Sequence, residues 1–133
     1  MRTVFADTSF YLAILNPEDA KHAAAGGWIQ DESLIVVVTE FVLIELGNFL
    51  SKLRQRDLLG GLVQYLRNNP HTTVVPLSTA LFDAGLDLYS RRPDKDWSLT
   101  DCTSFVVMKD RGLTEALTTD HHFEQAGFKA LLK

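Results

Sequence analysis

The sequence predicts an α/β domain built on a central, mainly parallel sheet of four or five strands. Three observations carry that prediction. Short runs of β-branched and aliphatic residues, such as Leu34–Val38 (LIVVV), alternate with longer stretches of helical periodicity. The strand-like runs are continuously apolar, as expected for strands covered by helices on both faces. Residues that start and stop helices punctuate the chain between them.

Taken in order, Thr3–Asp7 reads as the first strand and Leu34–Val38 as the second. Thr73–Pro76 is a third, near an edge, because Pro76 has no amide hydrogen to donate. Glu115–Thr118 is a fourth, and Lys129–Leu132 a short fifth. Helices are expected at Ser9–Leu15, at Asp19–Gln30, and at Thr39–Gln55 with Thr39 as N-cap. Another spans Leu58–Asn68 and ends before Pro70. Ser78–Arg92 carries Leu81, Ala84 and Leu88 at helical spacing, and Ser98–Arg111 stops at Gly112. Strands alternating with helices build βαβ units, hence a parallel sheet.

The bulk properties are those of one soluble domain. The chain has 133 residues, 46% of them hydrophobic and 23% charged, with no repeat, low-complexity run or linker. A single domain over residues 1–133 is expected. Cys102 is the lone cysteine, which precludes an intrachain disulfide and fits a reducing, cytoplasmic setting. Asp7 arrives too early for the apolar region of a signal peptide. No apolar run approaches the roughly 20 residues that span a bilayer. Seventeen acidic and 13 basic side chains give a net charge of −4, which argues against a general duplex-DNA binder. That balance suits an enzyme whose acidic pocket holds cations that meet a phosphate.

In an open α/β sheet, ligands bind beyond the carboxyl ends of the strands. Four carboxylates fall there: Asp7 after the first strand, Glu45 in the early turns of the helix after the second, Asp101 in the first turn of the helix opened by Ser98, and Asp120 after the fourth strand. Each has a plainer explanation beside it. Asp7 and Asp120 suit helix N-caps, and Ser98–Asp101 resembles a capping box. Glu45 is harder to dismiss: its helical neighbours Phe41, Val42, Asn48 and Phe49 place it largely on an apolar stripe, where an unpaired carboxylate is costly. Four carboxylates at one edge repel one another unless a cation binds or some protonate. Oxygen ligands alone select a hard ion such as Mg²⁺ or Mn²⁺. Zinc is disfavoured, because Cys102 has no thiolate partner and His121 and His122 occupy adjacent helical positions that should diverge. The histidine pair is therefore expected at the surface or facing substrate. Thr8, Ser9, Ser98, Thr100 and Thr119 supply hydroxyls that can orient a carboxylate or a water.

The segments ADTSFYLAIL, TEFVLIELGNFL and DWSLTDCTSFVVMKDRGLTEALTTDHHFEQAGF, in that order, resemble the PIN domain, and more narrowly its VapC-type toxins. The stretch between Arg56 and Arg92 adds little to the resemblance. The resemblance implies a PIN-like three-layer α/β/α fold. It implies that Asp7, Glu45, Asp101 and Asp120 form a catalytic quartet holding Mg²⁺ or Mn²⁺, with Thr8 or Ser9 and Thr119 at nearby hydroxyl positions. Asp7 and Asp101 are the expected direct ligands; Glu45 and Asp120 bind directly or through water, and one of them serves as general base. The implied activity is hydrolysis of RNA phosphodiester bonds by a metal-dependent endoribonuclease, as the toxin of a type II toxin–antitoxin pair. The implied partners are RNA, a small antitoxin and a second copy of the chain. Two basic groups at the rim are candidates for RNA contact, Lys52, Arg54 and Arg56 in one and Arg91, Arg92 and Lys95 in the other, with a solvated helix end as the favoured reading. Trp97 is expected in the core, with base stacking as the other reading. The alternatives are an RNA-processing PIN nuclease and a silent binding module. A phosphatase using the first-strand Asp needs a second Asp two residues on, where this chain has Ser9.

Overall fold

The structure is a computed structural model that describes residues 1–133. The chain runs β1 (Arg2–Ala6), α1 (Thr8–Leu15), α2 (His22–Ile29), β2 (Leu34–Thr39), α3 (Glu40–Lys52) and α4 (Asp57–Asn68). It continues β3 (Thr72–Val75), α5 (Thr79–Arg91), α6 (Leu99–Asp110), β4 (Glu115–Leu117), α7 (His121–Gln125) and β5 (Lys129–Ala130). All five strands are parallel and lie in the order β3-β2-β1-β4-β5. The expected α/β class, the parallel sheet and the edge position of the third strand are all observed.

The strand order sets the position of the site. The chain builds outward from β1 to β3 on one side, then crosses back to place β4 on the other side of β1. The sheet therefore switches direction at β1 and β4, and the loops leaving their carboxyl ends diverge and open a crevice. Register pairs Phe5 with Ala116 and Ala6 with Leu117. The next residues on each strand, Asp7 and Thr118, are thereby brought side by side, with the Asp7 amide donating to the Leu117 carbonyl at 3.2 Å.

Helices form the two outer layers, and the core lies between them and the sheet. Val4, Phe5, Ala6, Val37, Val38, Ala116 and Leu117 are buried on the strands, against Leu46 and Leu50 of α3 and Phe105 and Met108 of α6. Phe105 is packed edge-on against Trp97 and Phe123. The pairing of α5 with α6 depends on Gly85: a Cβ there would lie 2.5 Å from the Thr103 methyl and 3.2 Å from the Thr103 amide nitrogen. At the other end of α6, Gly112 takes φ +66°. Its amide bonds the Lys109 carbonyl at 3.1 Å and the Leu113 amide bonds that of Met108 at 2.8 Å, a Schellman ending that turns the chain into β4.

Several boundaries differ from the sequence reading by one to three residues. The first strand ends at Ala6, and Asp7 is the residue before α1 instead of the last strand residue. The second helix begins at His22, because Asp19 uses its side chain to accept the Lys21 amide in a local turn. The third helix ends at Lys52, after which Arg54 adopts a left-handed φ of 57°.

Candidate metal centre

Asp7 occupies the N-cap position of α1, yet its side chain makes no capping bond. It turns instead into the crevice between β1 and β4. There its Oδ2 accepts from the Thr118 hydroxyl at 2.9 Å and from Ser9 at 3.3 Å. The capping explanation of Asp7 is thus removed, and the side chain is nearly inaccessible, with 5% of the residue exposed.

Asp101 and Asp120 do both jobs at once. The Asp101 carboxylate accepts the Ser98 amide at 3.1 Å while Ser98 Oγ accepts the Asp101 amide at 3.0 Å, a reciprocal capping box. The same Oδ2 of Asp101 also meets Nδ1 of His122 at 3.0 Å. Asp120 caps α7 by accepting the His122 amide at 2.9 Å, and its own amide is held by the Thr118 hydroxyl at 3.0 Å. Cap geometry fixes both carboxylates at helix starts, where the backbone amides favour negative charge.

Glu45 lies in the second turn of α3 and is half-buried. The largely apolar stripe expected around it is only partly seen, because Asn48 and Phe49 are exposed and the buried face runs through Val42, Leu43, Leu46 and Leu50. Glu45 sits at the border of that face, which lets its tip reach the crevice. Its Oε1 accepts the Thr8 hydroxyl at 2.5 Å.

The electrostatics tie the four together. Burial pushes the Asp7 carboxyl up to about 7; the charges of Asp101 and Glu45 add to the rise, and the Thr8 amide and Thr118 hydroxyl oppose it. Glu45 is raised by burial first and then by Asp101 and Asp120, against the hydroxyls of Thr8 and Thr100. Asp101 is raised by burial and by Asp120, against the Ser98 amide and His122. No lysine or arginine pairs with any of the four; their only ion-pair partners are His121 and His122. Buried carboxylates without a cation are the costly arrangement, and an oxygen-rich donor set of this kind fits a hard divalent ion. The residues present therefore fit the ion that the sequence reading anticipates.

Three expectations need correction. Thr118 supplies the hydroxyl on Asp7 in place of Thr119, whose contact is a backbone amide donated to Ser9 Oγ at 3.1 Å. Thr118 directly follows β4 as Asp7 directly follows β1, so the register that pairs Ala6 with Leu117 sets its hydroxyl beside the Asp7 carboxylate. The histidines do not diverge. Their ring centroids are 4.5 Å apart, and Asp120, His121 and His122 offer ligand atoms within 4.8 Å of one another. They are the first two residues after the Asp120 cap, where side chains fold back toward it. His121 is exposed as expected, but the His122 side chain is only 18% exposed and is part of the carboxylate cluster.

The basic groups take different places. Lys52, Arg54 and Arg56 are exposed at the far end of α3, about 10 Å of helix beyond Glu45. Arg91 pairs with Asp87 along α5. Arg92 pairs with Asp94 and lies over the Trp97 ring, 5.0 Å from its centroid. Trp97 is in the core, as the sequence reading favours, with its indole N–H donating to Gln125. Arg92 and Lys95 line an open groove of about 840 Å³ that reaches Ser98, at the start of the helix that carries Asp101.

Comparison with known proteins identifies similar chains. The chain is 28% identical over 125 residues to the 23S rRNA-specific endonuclease VapC20 of Mycobacterium tuberculosis, covering 94% of this chain and 95% of that protein. The crystal structure of that VapC20, described as a Sarcin-Ricin loop cleaving toxin, superposes with a TM-score of 0.83 at 27% identity, over 94% of this chain and 95% of that one. FitAcB from Neisseria gonorrhoeae shares the fold with a TM-score of 0.64 at 18% identity, over 96% and 94% of the two chains. The sequence model of the PIN domain matches residues 4–129, from the first buried residue of β1 through the start of β5. The acid-lined switch point thus lies within that match, and the chain belongs to the PIN-domain family.

Proposed function

We propose that this chain is a divalent-cation-dependent endoribonuclease of the VapC toxin type, hydrolysing RNA phosphodiester bonds. The observation that carries the reading is the convergence of Asp7, Glu45, Asp101 and Asp120 with no lysine or arginine beside them. The likeness to VapC20 over nearly the whole of both chains supports RNA, with ribosomal RNA as the first substrate to test.

Asp7 and Asp101 hold the ion directly in this proposal, each with its Oδ2 fixed by protein donors. Asp120 completes the donor set from the start of α7. A bound Mg²⁺ or Mn²⁺ supplies Lewis-acid polarisation and neutralises phosphate charge. Glu45, with its raised proton affinity and its tip held by Thr8, takes the proton of the attacking water. Thr118 and Ser9 keep Asp7 aimed into the crevice. Arg92 and Lys95 hold the RNA backbone along the adjoining groove. Lys52, Arg54, Arg56 and Arg91 act at most on distant parts of a long RNA.

As a toxin, the chain acts on cytoplasmic RNA and is held in check by a small antitoxin that presents a basic side chain to the unpaired carboxylates. Support for a homodimer comes from the exposed apolar side chains Ile44, Leu77 and Phe82 on α3 and around the start of α5.

Incubation of ribosomal RNA with the chain and Mg²⁺ tests the proposal. Discrete cleavage that EDTA abolishes, and that Asp7→Asn eliminates without loss of folding, is the expected result. Cleavage undiminished by EDTA, or equal in the variant, overturns it.

A further inference from the structure

We propose that His122 is a positioning residue that fixes the Asp101 carboxylate for cation binding, an inference that rests on the cation site proposed above. His122 Nδ1 lies 3.0 Å from Asp101 Oδ2 and 3.4 Å from Asp120 Oδ1, so one ring nitrogen stands between two of the four carboxylates. Acceptance by Asp101 requires the ring proton to be on Nδ1. Asp101 Oδ2 also takes the Ser98 amide at 3.1 Å. These two bonds differ in kind. The capping box is local to α6, whereas the imidazole arrives from α7, a separate element packed against α6, and so ties the Asp101 side chain to the segment that carries Asp120.

The imidazole itself is firmly delivered. Its backbone amide is bonded to Asp120, the next residue is the fully buried Phe123, and α7 closes with the Phe128 amide bonded to the Phe123 carbonyl at 2.9 Å. The bonds gather on Oδ2, and Oδ1 of Asp101 is without a protein hydrogen-bond partner. A carboxylate locked through one oxygen offers the other in a fixed direction, which is the part played by hydrogen bonds around metal-binding groups. The N–H also lies between two like charges that no lysine or arginine separates. His121 differs in place: it is exposed, its Nδ1 is 3.5 Å from Asp120, and its ring lies against that of His122 without reaching Asp101.

Calorimetric titration of Mn²⁺ into the purified chain, with no RNA present, tests the inference. Asparagine places an N–H where Nδ1 is, whereas glutamine places one where the other ring nitrogen is. His122→Asn is therefore expected to bind Mn²⁺ within about threefold of the unmodified chain, and His122→Gln and His122→Ala to bind about 10–100-fold more weakly. Should His122→Ala fail to fold, the asparagine and glutamine variants, matched by melting temperature, still decide. Unchanged affinity in His122→Ala, or equal loss in the asparagine and glutamine variants, overturns the inference alone. Absence of Mn²⁺ binding by the unmodified chain overturns the cation site, and the inference with it.

Discussion

The two ends of α3 present opposite charges in opposite ways. At its start, Glu45 is half-buried and gathered with three other acids around the β1–β4 crevice, with hydroxyls and histidines as their only side-chain company. At its far end, Lys52, Arg54 and Arg56 stand exposed, and the one side-chain bond among them joins Arg56 to Ser51. The acids come from four separate elements and meet because the sheet and its helix starts bring them together; the basic residues are close only because they are close in sequence. A concentrated, poorly solvated charge is expensive and is relieved by a bound cation or by protonation, whereas a solvated charge requires neither. That difference is why the acid cluster, and not the basic surface, is the candidate binding site.

The sharpest way to break that contrast is Asp7→Asn. Losing one carboxylate is expected to lower RNA cleavage by at least about 100-fold while raising the stability of the metal-free chain. The sign follows from the raised Asp7 carboxyl, at about 7 against an ordinary 3.8. Between those values the folded state binds more protons than the unfolded one, so stability falls as pH rises from about 4 to about 7. Above pH 7 the full penalty is present, up to about 4 kcal/mol for a shift of this size. Asp7→Asn removes it, and thermal melts in EDTA at pH 8 should show a higher Tm than the unmodified chain. A lower Tm there would mean that the carboxylate is not under strain.

The same linkage predicts a pH-dependent metal effect. Mg²⁺ should raise the Tm more at pH 8 than at pH 5.5, and protonation of Asp7 alone should weaken cation affinity by up to about tenfold per pH unit below about 7. A Tm increment independent of pH would show that the buried carboxylates do not hold the ion.

A scaffold variant sharpens the comparison from a distance. Gly85→Ala pushes a methyl against Thr103, two residues beyond Asp101 on α6, and is expected to cost about 1–3 kcal/mol in chemical denaturation. At the basic end, effects should be small. Lys52→Ala and Arg56→Ala are expected to change cleavage less than threefold, and Arg92→Ala, beside the groove, to raise KM by several-fold. Arg54→Gly should stabilise by about 0.5–1 kcal/mol, because Arg54 holds a left-handed φ that glycine adopts without strain.

What the sequence determined by itself was pattern and inventory. Continuous apolar runs gave the strands, caps such as Thr39 and Ser98 gave the helix starts, and the position of acids after strands gave the quartet its members. These follow from local chemistry, because a buried strand must be apolar and a helix start must satisfy its amides. Tertiary structure alone decided which side chain meets which. Thr118 rather than Thr119 reaches Asp7, since that choice depends on pairing between strands more than 100 residues apart in sequence. His122 joins Asp101 from α7 for the same reason. Register and helix placement are settled by packing between distant segments, and no local run of residues contains that information.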